Sequence, residues 1–157
     1  GTGKILTSAA NGTASWQSPA LTKATVTYIN DGVVTIPATT AGGETMIEGN
    51  ISVTFPENGT YAVSFDYVGD TVGGSVTDSN AWISTKLRDN AGNFYLSHVD
   101  YIPQNTIFVF SAATKYLKIT NAPITLKVWY ISLCGKPITL RPNSGQNYND
   151  WFSYKVY

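Results

Sequence analysis

A chain of 157 residues, 43% of them apolar, is long enough to bury one hydrophobic core. Its ten basic and ten acidic side chains cancel, so the net charge is zero and we expect no nucleic-acid partner. No apolar run reaches the roughly 18 residues that a membrane-spanning helix needs, so we expect no membrane insertion.

Residues 1–19 are predicted to be a linker that lies outside the core. They read GTGKILTSAANGTASWQSP, a polar run that begins with glycine and ends in proline. Polar chain ends of this kind are commonly poorly ordered, and we expect disorder as far as about Ser15. Residues 20–157 are predicted to form a single globular domain.

Within residues 20–157, apolar and polar side chains alternate with the period of a β-strand. The clearest example is GTYAVSFDYVG, where Tyr61, Val63, Phe65 and Tyr67 alternate with small or polar residues. The predicted strands are residues 25–29, 33–36, 46–55, 59–69, 82–88, 94–99, 106–111, 116–119, 124–133, 138–141 and 151–157. Turn-forming Asn, Asp and Gly separate several of them, and no helical pattern intervenes. The sequence therefore predicts an all-β fold, an antiparallel sandwich or barrel of about ten strands.

Two of these strands carry apolar side chains on both faces. In ITLKVWYISL, Trp129 and Ile131 lie opposite an aliphatic stripe, and in WFSYKVY, Phe152 and Tyr154 lie opposite Trp151. A monomer seldom leaves an apolar patch of more than a few hundred Å² open to water. Either a loop of the same chain covers the second face, or these are ordinary surface aromatic residues, or another subunit covers it, and we favour the subunit.

The sequence contains no motif of an enzyme. It has no nucleophile elbow, no metalloprotease motif, no phosphate-binding loop and no dinucleotide fingerprint, so we expect a non-enzymatic protein. The carboxylates of DYVGDTVGGSVTDSN lack the order of a calcium loop, and no metal or other cofactor is predicted. Cys134, the single cysteine, lies in an apolar run and is expected to be a small buried hydrophobe.

Two segments, LSHVDYIPQN and SGQNYNDWF, interleave aromatic and polar side chains. A flat ring can contact the C–H face of a sugar while amides and carboxylates bond its hydroxyl groups, so the pattern indicates a shallow saccharide site. Alternatively, the aromatic residues close the ends of the sandwich. The candidate ligand-binding residues are His98, Asp100, Tyr101, Gln146, Asn147, Tyr148, Asn149, Asp150 and Trp151.

Three segments, in chain order, resemble the tumour-necrosis-factor-like jelly roll in its complement-globular-head form. ENGTYAVSFDY is similar to the family's Gly-x-Tyr-x-x-Ser-Phe strand, SLCGKPITL to its Leu-x-x-Gly-Asp-x-Val-x-Leu strand pair, and WFSYKVY to its terminal Phe-Ser-Gly-Phe-x-x-Tyr strand. Lys136 stands in place of the Asp, and the Gly of the terminal strand is missing. The matched residues are Gly59, Tyr61, Ser64, Phe65, Leu133, Gly135, Ile138, Leu140, Phe152, Ser153 and Tyr157.

This resemblance implies an antiparallel jelly roll of about ten strands that forms a threefold homotrimer through aromatic faces. Such a trimer would explain the strands that are apolar on both faces. On that basis the residues assigned to the trimer interface are Tyr61, Phe65, Trp129, Ile131, Phe152, Tyr154 and Tyr157.

The opening segment resembles a phrase found in tail-fibre-like and surface proteins of bacteriophages and bacteria, where it joins a trimeric stalk to a C-terminal head. The matched residues are Lys4, Leu6, Thr7, Ser8, Gly12, Trp16 and Gln17. The resemblance implies that residues 1–19 are the remnant of a stalk formed by the upstream part of the same chain.

Together the two resemblances imply a trimeric receptor-binding head of a phage tail fibre or spike. Its location would be the virion surface or the extracellular space, and its partner a host cell-surface glycan or protein. A structural trimerisation or capsid-associated module without a ligand is the alternative. A bacterial extracellular adhesin or a glycan-degrading fragment ranks third.

Overall fold

The computed structural model describes residues 4–17, 22–143 and 149–156. These residues form twelve β-strands and no α-helix, which confirms the predicted all-β class. The strands are β1 (Ile5–Ser8), β2 (Ala14–Gln17), β3 (Thr25–Tyr28), β4 (Thr35–Ile36), β5 (Ile47–Phe55), β6 (Gly59–Thr71), β7 (Trp82–Arg88), β8 (Phe94–Tyr101), β9 (Phe108–Ile119), β10 (Ile124–Leu133), β11 (Ile138–Leu140) and β12 (Asn149–Lys155). Within the described ranges, no helix is long and apolar enough to cross a membrane.

Strands β3 to β12 form two antiparallel sheets that pack on one core. The first sheet has the order β3-β5-β10-β7-β8. The second sheet is built around β6, which pairs with β9 on one side and with β12 and β11 on the other, while β4 pairs with β11.

The core forms where the apolar stripes of the two sheets meet. Strand β6 buries Tyr61, Val63, Phe65 and Tyr67, as its alternating sequence predicts, and β10 buries Tyr130 from the opposite sheet. The rings of Tyr67 and Tyr130 meet edge to face with centroids 5.6 Å apart. Aromatic contacts of this kind add to the free energy gained by burial, so they tie the two sheets together.

The structure corrects the predicted division of residues 106–119 into two strands. Residues 108–119 form one long strand, β9, which pairs with β6 from Gly59 to Asp70. The small residues Ala112, Ala113 and Thr114 interrupted the apolar pattern in the sequence. The backbone ladder with β6 does not depend on side-chain size, so the strand continues through them.

The N-terminal segment is more ordered than its composition indicated. Strands β1 and β2 pair as a hairpin, with Leu6 opposite Trp16, so the expectation of disorder as far as Ser15 is wrong for these residues. Both side chains are 58% exposed, and the hairpin pairs with neither of the other sheets. The placement of a domain boundary near residue 19 stays a prediction.

Two residues assigned to a trimer interface lie inside the single chain. Tyr61 and Phe65 are 0% and 2% exposed, because both point from β6 into the core. Their assignment to an interface is wrong, since an aromatic stripe in one strand can also be the stripe that the chain buries itself.

The other assigned residues lie on opposite outer faces of the sandwich. Trp129 and Ile131 are half-buried on the outer face of the first sheet. Phe152 and Tyr154 are exposed on the outer face of the second sheet. Tyr157 lies outside the described residues. A single contact surface therefore includes one pair or the other, but not both.

Gly49, on β5, gives a test of how tightly the sheets pack. A Cβ atom at this position would lie 2.6 Å from Cε2 of the buried Tyr130. We expect Gly49→Ala to lower the free energy of unfolding by about 1–3 kcal/mol, because a completely buried ring would have to shift to admit the added methyl group. Urea unfolding measures the change.

Gly43→Ala is the matched control for this substitution. Its added Cβ would meet nothing closer than 3.5 Å, so we expect a change within about 0.5 kcal/mol. Equal unfolding midpoints for the two variants would contradict the packing described for β5.

The ion pair between Arg141, which follows β11, and Asp70 on β6 should make the stability of the protein depend on pH. Arg141 donates from Nε and Nη2 to the two carboxylate oxygens of Asp70, both at 2.7 Å, and these bonds hold the pKa of Asp70 below its usual range. The stabilisation is complete above the unfolded pKa, about 3.9, and is lost as the pH falls through the folded pKa. We expect Asp70→Asn to unfold with a shallower dependence on acid between about pH 5 and pH 2.

The measurement is the urea midpoint at each pH, with Asp66→Asn as the control. Asp66 lies on the same strand and is exposed, and it has no ion pair within the described residues. If Asp70→Asn lost stability with acid as steeply as the unmodified protein, the ion pair would not be the cause.

Candidate functional site

A groove of about 300 Å³ crosses the outer face of the first sheet. It lies over β10, β7 and β8, and we call it the outer groove. Its lining residues are Trp82, Ser84, Lys86, Val99, Tyr101 and Ile131.

The groove follows from the register of the three strands. Trp82 lies opposite Tyr101, and in the next outward-facing row Ser84 lies between Val99 and Ile131. Because side chains on a strand alternate, all five face away from the core. The small side chain of Ser84 leaves a depression between larger neighbours, with aromatic rings at one end.

The chemistry of the groove is that of a binding surface with a polar floor. Tyr101 is 81% exposed, and Trp82 is half-buried beside it. Ser84 is 2% exposed, and its Oγ has no hydrogen-bond partner in the described structure. An unpaired buried hydroxyl costs about 1–3 kcal/mol, so a ligand that bonds it recovers free energy that the protein alone does not.

A cluster of cations and rings, which we call the cationic end, extends the groove along β7. The Lys86 Nζ atom donates to Ser97 Oγ at 3.0 Å and lies 5.2 Å from the centre of the Phe94 ring. The Arg88 guanidinium lies 5.5 Å from the same ring and 5.1 Å from the ring of Trp129. The rings hold both cations on the outer face by cation–π attraction.

Two predicted ligand residues face the other way. His98 and Asp100 lie on β8 beside Tyr101 in sequence, but their side chains point toward the core side of the strand. His98 Nε2 lies 3.1 Å from Asp100, and the Ser111 hydroxyl donates to the same carboxylate. Strand alternation therefore separates them from Tyr101, and their assignment to one site with it is wrong.

The His98–Asp100–Ser111 cluster also lacks the order of a catalytic triad. In a triad the imidazole lies between the nucleophile and the carboxylate. Here the carboxylate of Asp100 is in the middle, and Ser111 is completely buried. The cluster is a partly buried hydrogen-bonded group between β8 and β9.

The segment around residue 150 starts a strand and is mostly buried. Asn149 is 0% exposed and donates from Nδ2 to the carbonyl of Gly32. Trp151 is 3% exposed and stacks on Phe65 with ring centroids 4.6 Å apart. Both are therefore wrong as ligand contacts, because the core takes their side chains.

The remaining residues of that segment do not join the groove. Asp150 lies opposite Asp66 on the second sheet, so the thickness of the sandwich separates it from Tyr101. Gln146, Asn147 and Tyr148 lie outside the described residues. Of the nine predicted ligand residues, the structure places Tyr101 in the outer groove.

Tyr28, which bonds this segment, also has a structural role. The Trp151 amide donates to the Tyr28 hydroxyl at 2.8 Å. Burial raises the pKa of Tyr28 to about 12. The phenol therefore stays neutral and acts as a link between the two sheets.

Several groove residues were missed from the sequence. Trp82, Ser84 and Lys86 alternate in WISTKLR, so they were visible as one face of a predicted strand. The missing information was the pairing of that strand with Val99 and Tyr101, which depends on contacts between separate parts of the chain. Ile131 was assigned to a trimer interface and lies in the groove instead.

The outer face of the second sheet carries a different surface, which we call the aromatic face. Its exposed side chains are Phe108, Phe110, Tyr116, Phe152 and Tyr154. Between the aromatic residues of β9 and those of β12 lies a shallow depression of about 370 Å³, lined in part by Ser64, Ala112 and Thr114. The face therefore has two aromatic stripes with a depression between them.

The single thiol and the possible metal-binding side chains form no further site among the described residues. Cys134 is buried and its Sγ contacts the Lys136 carbonyl oxygen at 2.8 Å. Burial raises the pKa of the thiol, so little of it is the reactive thiolate at neutral pH. In the part of the chain that the structure describes, no three His, Cys, Asp or Glu side chains converge on a possible metal position.

No protein-family model matches the chain, and no curated protein matches it either. Among solved structures, that of infectious bursal disease virus, Gt strain, is similar at 11% identity with a TM-score of 0.51, covering 91% of this chain and 40% of that one. The C-terminal CBM6 of LamC, a marine laminarinase from Zobellia galactanivorans, matches at 10% identity and a TM-score of 0.35, covering 98% and 89%. The enzymatically active domain of bacteriophage CBA120 tailspike protein 4 matches at 16% identity and a TM-score of 0.40, covering 84% and 19%.

The similarity to the bursal disease virus structure is one of fold. At 11% identity it carries no residue of a site from one protein to the other. This chain spans 40% of the length of that viral chain. Fold and groove together define an antiparallel β-sandwich that presents a ligand-sized groove on one sheet and an aromatic face on the other.

Proposed function

We propose that this chain is a non-enzymatic receptor-binding head whose outer groove binds a host cell-surface glycan. The observation that carries the proposal is the arrangement of Trp82 and Tyr101 beside the unpartnered Ser84 hydroxyl. The rings offer apolar faces for the C–H face of a sugar, and the serine offers a hydrogen-bonding group for one of its hydroxyls.

The shape of the groove fits this type of ligand. A volume of about 300 Å³ is at the small end of the range for ligand sites, so it holds part of an oligosaccharide. The described lining contains no carboxylate. A glycosidase of the usual kind needs two, which supports binding over hydrolysis.

We propose that three copies assemble through the aromatic face in a jelly-roll trimer of the tumour-necrosis-factor-like type. A threefold contact joins two different patches, one from each neighbour. The exposed stripes of β9 and β12 supply two such patches, and the depression between them accepts an aromatic side chain. Three weak groove sites on one particle then bind a surface with higher avidity than one.

In this proposal the head stands at the end of an upstream stalk, on a virion surface or in the extracellular space. The stalk-like phrase in residues 4–17 motivates this placement. The rival is a structural trimerisation or capsid-associated module. The aromatic face fits this rival as well, because a trimerisation module needs that face and no groove.

Loss of either groove ring should weaken binding. We expect Trp82→Ala and Tyr101→Ala each to lower affinity for a glycan at least about tenfold, since both remove an apolar platform that the sugar covers. The probe is an array of printed oligosaccharides, followed by calorimetric titration of the strongest binder.

Trp16→Ala is the matched control, because Trp16 is an exposed tryptophan in the β1–β2 hairpin, outside the groove. It should bind like the unmodified protein. If the assembled protein bound no glycan on the array, the outer groove would not be a saccharide site and the structural module would be favoured.

A charge on the aromatic face should break the trimer. Phe110 is 64% exposed, and we expect Phe110→Asp to sediment as a monomer, because the introduced carboxylate would have to be buried at the contact. Analytical ultracentrifugation at micromolar concentration measures the mass. Ile29→Asp, at a position beside β3 on the first sheet that is 61% exposed, should remain trimeric. A stable monomer of the unmodified protein would contradict the trimer.

A further inference from the structure

We infer that the saccharide bound in the outer groove carries an anionic substituent, which binds at the cationic end. This inference rests on the proposed function, because it names the class of glycan that the same groove selects. The shared chemistry is a negatively charged group on a sugar, either a carboxylate or a sulfate.

The first observation is that two cations lie against the same aromatic ring. Lys86 and Arg88 alternate on β7 and so share its outer face. Their charged groups lie 5.2 and 5.5 Å from the centre of the one Phe94 ring. Both charged groups therefore lie against the same ring, and an anion near that ring is attracted by both of them.

The second observation is that no carboxylate among the described residues forms an ion pair with them. Within the described residues, neither Lys86 nor Arg88 takes part in an ion pair. Lys127, on the same face, is paired with Glu48 at 2.6 Å. The nearby Asp89 binds Asn93 and Tyr95 within its own turn. The cationic end therefore keeps its positive charge.

The third observation is that N–H donors at the cationic end lack acceptors. Arg88 Nε and Trp129 Nε1 are buried and have no hydrogen-bond partner in the described structure. The guanidinium lies against two rings, which restrict its orientation before a ligand binds. Charge-assisted bonds from a fixed guanidinium to an anion are the strong ones, and a carboxylate or sulfate provides the acceptor oxygens.

The turn between β7 and β8 leaves room for this arrangement. A Cβ atom at Gly92 would lie 2.7 Å from Arg88 Nη2, and Gly92 has a φ of +97°. Glycine satisfies both requirements, because it has no Cβ and adopts positive φ without strain. The end of the arginine side chain can therefore lie against the turn.

The spacing along β7 sets the size of the ligand. From Trp82 to Lys86 a strand rises about 13 Å, which is longer than one sugar ring. A neutral sugar over Trp82 and Tyr101 and an acidic group at Lys86 and Arg88 thus belong to one oligosaccharide. Lys86 lines the groove itself, so the two parts are continuous.

The test compares matched oligosaccharides that differ in one substituent. Printed glycans are used in neutral, uronic-acid and sulfated forms of the same backbone, and affinities are then measured in solution at low salt. We expect at least one acidic form to bind about tenfold tighter than the neutral form. Raising the salt to about 0.5 M should reduce that preference, because screening weakens attraction between partly exposed charges. The uronic-acid and sulfated arms distinguish the two anions.

Substitutions assign the preference to the cationic end. Arg88→Gln and Lys86→Gln should each lower the ratio of acidic to neutral affinity several-fold. Lys4→Gln, at an exposed lysine that precedes β1 and lies outside the groove, should leave the ratio unchanged. Circular dichroism and the urea midpoint check the fold, and the second variant serves if the first does not fold.

The binding results distinguish failure of this inference from failure of the glycan-binding proposal. Equal affinity for neutral and acidic forms, or a preference that survives both substitutions, would overturn this inference and leave the glycan-binding proposal standing. Binding of no form at all would overturn both.

Discussion

The buried aromatic stripe of β6 is the constraint on which the rest of the structure depends. Tyr61, Phe65 and Tyr67 fill the space between the sheets, and the Tyr67 hydroxyl bonds Thr85 Oγ1 at 2.7 Å across that space. Burial raises the pKa of Tyr67, so this link stays neutral. Because a strand has two faces, fixing the inner one also fixes what β6 and its partners present to solvent.

Thr85 links the core to the groove, because it lies on the inner face of the strand whose outer face lines the groove. It is buried on β7, so its neighbours Ser84 and Lys86 must point outward. A slip of one residue in this strand would bury Lys86 and expose Thr85, which the bond to Tyr67 opposes. The outward direction of Ser84 and Lys86 is therefore supported by a hydrogen bond on the core side of the same strand. Stability depends on the inner face of β7, and the proposed recognition uses its outer face.

The sequence was sufficient for the features that depend on local alternation. The stripe of β6 and the outward face of WISTKLR follow from the period of two. Pairing between distant strands is a different kind of information, because it depends on which surfaces fit. For this reason Tyr101 was grouped with His98, its sequence neighbour, rather than with Trp82, its neighbour across the sheet. For the same reason the sequence assigned Ile131 and Phe152 to one interface, although they lie on the outer faces of different sheets.

The burial of Cys134 has a practical consequence. The chain has one cysteine, and its thiol is enclosed and contacts a backbone carbonyl. A cysteine introduced on the surface would thus be the fast-reacting thiol of the molecule, with no competing site to remove first. Dyes, spin labels or crosslinkers can be attached at one chosen position on either outer face, with the native core sequence left intact.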